Sequence, residues 1–99
     1  MFELKILTSF AAAHQLTMVA KKCENLHGHN WKVEVCVKGE RLNEAGVLVD
    51  FGVIKGYVKT VMRRLDHQFL NDLPYFQNDA PSSEVLAVYI AKSLQEMID

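Results

Sequence analysis

Residues 23–31 read CENLHGHNW, and this stretch holds one of the chain's two cysteines and two of its four histidines. His27 and His29 are separated by Gly28 alone. In extended backbone, positions two apart lie on the same face, so both imidazoles would project together. His14 stands at the end of the first alternating stretch. If that stretch pairs with the one beginning near His27, three neutral imidazoles meet at one end of a sheet. Three nitrogen ligands and an open fourth position describe a catalytic zinc site, whereas a structural site is closed by a fourth ligand. The competing reading is three unrelated polar loop histidines, because His-x-His by itself is a weak signal.

Cys23 precedes His27 by four residues and follows Lys21 and Lys22. It is either a fourth metal ligand or a thiol whose pKa neighbouring cations lower toward thiolate. Cys36 sits between valines and takes no role. Further along, Asp66 and His67 are adjacent. A carboxylate beside an imidazole orients it for proton transfer. Ordinary helix-end chemistry, which favours an imidazole near the negative pole of the dipole, is the simpler alternative. Glu84 likewise suits the first turn of a helix with or without a chemical role.

The elements that must carry these residues follow from periodicity. Phe2, Leu4, Ile6, Thr8 and Phe10 alternate with mostly polar residues and predict a strand. A polar loop follows over roughly 17–26. Trp31, Val33, Val35 and Val37 alternate with Asn30, Lys32, Glu34, Cys36 and Lys38 and predict a second strand, antiparallel to the first. The segment 41–52 reads as a connection with a short extended piece. Asp50 is a good N-cap for a helix over 51–65, whose apolar stripe runs Val53, Ile54, Tyr57, Val58, Val61, Met62 and Leu65. A turn-rich loop covers 66–81. Pro81, Ser82 and Ser83 open a second helix with the stripe Val85, Leu86, Tyr89, Ile90, Leu94, Met97 and Ile98. Two strands and two helix faces make a thin domain, so copies of the chain or further strands are needed to complete the sheet.

The chain has 99 residues, about half of them apolar, and a formal net charge of −1. That is one domain, residues 1–99. Basic residues are scattered, which argues against a nucleic-acid partner. No apolar run reaches the roughly 20 residues a membrane span needs. The N-terminus lacks a basic region ahead of its apolar residues and reads as mature protein. Two cysteines without an export signal point to reduced thiols in a cytoplasm, although counting alone permits a Cys23–Cys36 disulfide.

The motifs FAAAH, CENLHGHNWKVEV, VDFG, LDHQFLND and PSSEVLAVYI, in this order, resemble the 6-pyruvoyltetrahydropterin synthase family. The spacing from Cys23 to His27 resembles its bacterial 6-carboxy-5,6,7,8-tetrahydropterin synthase branch, of queuosine biosynthesis. The resemblance implies an α+β tunnelling fold, with an antiparallel sheet and two helices on one face. It implies Zn²⁺ on His14, His27 and His29, Cys23 as base, Asp66 and His67 as a proton relay, and Glu84 near a pterin pocket. It implies conversion of 7,8-dihydroneopterin triphosphate to 6-carboxytetrahydropterin, with loss of acetaldehyde and triphosphate, in a homo-oligomer whose active sites lie between subunits. The sister activity, 6-pyruvoyltetrahydropterin synthesis, and a non-catalytic zinc-binding assembly protein are the alternatives. The C-terminal β-hairpin of the family, with its pterin-gripping glutamate, has no counterpart before Asp99, so the domain reads as C-terminally incomplete.

Overall fold

The computed structural model describes residues 1–15 and 27–98, with positions 27 and 29 as backbone only. Strands β1 (Phe2–His14) and β2 (His27–Gly39) run antiparallel along their whole length, from Phe2 opposite Gly39 to His14 opposite His27. The alternation written in the sequence becomes a two-sided ladder. Ile6, Phe10, Ala12 and Val35 are buried on the inner face. Phe10 stacks on Trp31 across the strands, ring centroids 5.9 Å apart. The outer face carries exposed ion pairs, Lys5 with Glu3 and Glu34 and Lys38 with Glu3. Pairs this exposed add little stability, and they keep that face wet.

Helix α1 (Phe51–Leu65) begins where Asp50 caps it, its Oδ1 accepting the Val53 amide at 3.1 Å. Arg63 and Arg64 suit the negative end of its dipole. Its buried stripe is Ile54, Val58, Val61, Met62 and Leu65; Val53, assigned to that stripe from spacing, is 48% exposed at the helix start. Helix α2 (Ser83–Ile98) is capped by Ser82, whose hydroxyl accepts the Val85 amide at 3.1 Å. It buries Leu86, Ile90, Ser93 and Leu94, and leaves Ile98 exposed. Both helices and the inner sheet face share one apolar cluster. No strand forms in the connection 41–50, where Asn43 organises a turn by accepting the Ala45 and Val47 amides.

The antiparallel pair β1–β2 with two helices on one face is as expected, and one short parallel strand makes the sheet mixed. A two-residue strand, β3 (Gln68–Phe69), pairs parallel with Ala12 and Ala13 on the other edge of β1. The segment leaves α1 and turns back along the free edge of β1, because buried backbone groups there need partners. The described order is β2-β1-β3. Single 3₁₀ turns at Leu70–Asp72 and Pro74–Phe76 complete the path to α2. Among the described residues no helix is long and apolar enough to cross a membrane.

Leu65 is fully buried, so Leu65→Ala should lower unfolding free energy by about 2–5 kcal/mol. Val53→Ala on the exposed side should change it by less than about 0.5 kcal/mol beyond helix propensity. Urea denaturation followed by far-UV circular dichroism checks both.

Candidate functional site

His14 closes β1 and is 5% exposed. The ladder sets it opposite His27, with Ala13 opposite Gly28 and Ala12 opposite His29. Positions 12, 14, 27 and 29 therefore belong to one face of the sheet, as pleat parity requires. The register thus brings three histidine positions to one corner, with the buried Ala12 on the same face.

The ring of His14 is held from two sides. Its Nδ1 lies 2.9 Å from the Pro81 carbonyl. A carbonyl only accepts, so Nδ1 is the donor, and in the neutral ring the lone pair is on Nε2. The ring also meets Trp31 edge-on, centroids 4.9 Å apart. An Nδ1–H bonded to main-chain carbonyl is the tautomer of a histidine that ligates metal through Nε2. Among the described side chains no three His, Cys, Asp or Glu groups converge. The side chains of His27 and His29, and all of Cys23, lie outside the described residues.

Asp66 and His67 come together as expected, and a second bond was not expected. The His67 Nδ1 is 2.9 Å from Asp66 Oδ2. Asp66 Oδ1 accepts the Ala11 amide at 2.9 Å. The Ala11 N–H, and then the His67 imidazole, hold the Asp66 carboxyl below the usual aspartate range. The His67 amide donates to the Ala11 carbonyl, closing the bracket on β1. His67 has φ 59°, and its side chain is 82% exposed. A carboxylate fixes one nitrogen of an accessible imidazole and leaves the ring able to exchange protons with a bound molecule. This pair braces β1 three residues before His14, roughly 10 Å along the strand. Among the described residues, the dyad and His14 therefore stand apart along one strand.

Glu84 is exposed in the first turn of α2, three residues after the carbonyl that holds His14. Sequence reasoning gives Trp31 and Pro81 structural places only, and Asn71 none. In LDHQFLND the residue types point only to the Asp-His pair. The contacts of Asn71 and Pro81 are to main chain or from main chain, which leaves no spacing signal. A separate apolar groove of about 580 Å³ runs between β2 and α2, lined by Trp31, Val35, Leu86, Ile90 and Leu94 among others. It contains none of the candidate residues.

Residues 3–99 match the family model described as 6-pyruvoyl tetrahydropterin synthase. The chain is 39% identical over 93 residues to the 6-carboxy-5,6,7,8-tetrahydropterin synthase of Synechocystis sp., covering 89% of this chain and 70% of that protein. It is 36% identical over 103 residues to the enzyme of the same name from Bacillus subtilis, covering 99% and 68%. It is 36% identical over 104 residues to human 6-pyruvoyl tetrahydrobiopterin synthase, covering 91% and 72%. The solved 6-pyruvoyl tetrahydropterin synthase of Caenorhabditis elegans superposes with a TM-score of 0.82 at 26% identity, over 96% of this chain and 77% of that one. That likeness extends to the tunnelling architecture.

The lowered pKa of Asp66 has a definite sign. A carboxylate held below its unfolded value stabilises the fold fully above the ordinary aspartate pKa, near 4, and that contribution is lost as pH falls through the folded value. Asp66→Asn keeps an acceptor for Ala11 without the charge. Its stability deficit should be present at neutral pH and shrink progressively as the pH falls below the ordinary aspartate range. Denaturant titrations across that range check it; a deficit constant with pH would show that charge is not the source.

Proposed function

The chain belongs to the 6-pyruvoyl tetrahydropterin synthase family, and from that premise we propose that it is a zinc-dependent carbon–carbon lyase. Its substrates are 7,8-dihydroneopterin triphosphate and one water, whose oxygen enters the carboxylate, and its products are 6-carboxy-5,6,7,8-tetrahydropterin, acetaldehyde and triphosphate, a cytoplasmic step toward queuosine. The relatives named for that activity, at 36–41% identity, support the choice of reaction. The observation that carries the metal reading is the ladder register: His14 opposite His27, His29 two residues on, and Nδ1 of His14 committed to Pro81.

His14, His27 and His29 would hold the zinc. When bound, it supplies a Lewis acid for the hydroxyls of the substrate side chain. Cys23, as thiolate, takes a proton from that side chain. His67, oriented by Asp66, returns and removes protons as triphosphate leaves and the carbon–carbon bond breaks. Glu84, exposed in the first turn of α2, would lie near the bound pterin. The distance along β1 between dyad and histidines supports an assembly in which one copy's Asp66–His67 serves the metal corner of another. Human 6-pyruvoyl tetrahydrobiopterin synthase, at 36% identity, favours the sister reading, in which the carbon chain is retained.

Turnover of dihydroneopterin triphosphate with stoichiometric acetaldehyde is expected. Product without acetaldehyde would assign the sister activity, and no turnover with zinc bound would favour an assembly role. Cys23→Ala should keep its zinc and lose activity by roughly 100-fold or more, as removal of a general base does. Loss of metal in that variant would instead make Cys23 a fourth ligand. His27→Ala should lose most of its zinc by elemental analysis, and full occupancy there would overturn the ligand set.

A further inference from the structure

The reaction as described leaves Asn71 without a role, yet its side chain makes an unusual contact. Its Oδ1 accepts the Gln15 amide at 2.9 Å, and its Nδ2 donates to the Gln15 carbonyl at 2.8 Å. One primary amide thus gives Gln15 the donor and the acceptor that a neighbouring strand would give it. Strand β3 pairs with β1 as far as Ala13, and Asn71 continues that edge with a side chain. Its own carbonyl accepts Gln77 Nε2 at 3.0 Å, and the same nitrogen reaches the Leu73 carbonyl at 2.9 Å. The turns over 70–77 are tied internally, and they lead to Pro81, whose carbonyl holds His14.

Gln15 follows His14 directly. The strand end is therefore gripped at Gln15 by Asn71, and the imidazole one residue earlier is gripped by the far end of the same loop. A side-chain amide is suited to this: alanine offers neither bond, and aspartate offers the acceptor alone. We propose that Asn71 is a positioning residue for His14, holding loop 70–81 against the end of β1 so that the ring keeps one orientation and one tautomer. The proposal rests on the reading of His14 as a metal ligand, and it goes beyond it by naming the group that aligns that ligand. Partners that orient ligating histidines commonly change metal affinity 10- to 100-fold when removed.

The test uses the full chain in four forms: parent, Asn71→Ala, Asn71→Asp, and Ile54→Val as a mild core destabiliser on α1, outside the loop. The first readout is nitrogen NMR of His14 in metal-free protein. The parent should show one tautomer protonated at Nδ1, and Asn71→Ala a mixture. The second is zinc affinity by chelator competition. Asn71→Ala should bind about 10- to 100-fold more weakly, Asn71→Asp at an intermediate level, and Ile54→Val within about twofold of the parent. A single parent-like tautomer together with affinity within twofold in Asn71→Ala would overturn the proposal. So would an equal loss in Ile54→Val, which would make the effect one of general stability. If the parent binds no zinc, the metal reading fails, and the tautomer comparison alone decides the role of Asn71. If Asn71→Ala does not fold, Asn71→Asp carries both comparisons.

Discussion

The second edge of β1 is the constraint on which the rest of the site depends. One edge is satisfied by β2 along its full length. The other exposes the main-chain groups of Ala11 to Gln15, and a buried strand cannot leave such groups unpaired. Among the described residues, the segment after α1 supplies partners along that edge. Asp66 and His67 take the amide and carbonyl of Ala11, Gln68 and Phe69 pair with Ala12 and Ala13, and Asn71 takes both groups of Gln15. The carboxylate that orients His67 is also the one that completes the sheet. Structure and candidate chemistry therefore share one carboxylate, and a change to one is felt by the other.

His67 shows what that sharing costs. Asp66 ends α1 in extended conformation, and His67 then turns back with φ 59°. The residue just past a helix end commonly takes this left-handed form, and it is usually glycine, sometimes asparagine. A side chain with a Cβ costs about 1–2 kcal/mol there. Strain of this kind collects where a side chain is needed for its chemistry. An exposed imidazole locked to a carboxylate fits that description, and burial or packing does not explain its presence.

Much of this was legible in the residues. Period-two alternation marked both long strands. Asp50 and the spacing Ile54–Val58–Val61–Leu65 marked α1, and Pro81–Ser82 marked the start of α2. Each is a local signal tied to one backbone conformation. Val53 and Ile98 misled because a stripe drawn from spacing has no knowledge of where the partner surface stops. Strand β3 has only two residues and no periodicity, and its pairing is dictated by an edge more than fifty positions away. The His-x-His pair and His14 announced themselves by type. The groups that orient His14 did not, because a proline carbonyl is invisible as chemistry and an asparagine in a turn resembles any other. The role of Cys23 and the 17–26 loop lie outside the described residues.

The bracket on β1 also has a meaning in time. Hydrogen bonds that hold the site join residues 55, 56 and 67 positions apart. The β1–β2 hairpin closes a much shorter stretch of chain, as does each helix turn. Long closures carry the larger entropy cost and are repaid only after the intervening helix has docked. A chain with its hairpin and helices formed but its loop undocked would have the histidine positions aligned in the ladder, with nothing to fix the ring of His14 and no dyad beside Ala11. Ordering of that ring is thus a late event in folding, and it reports that the whole topology, and not only its local pieces, is complete.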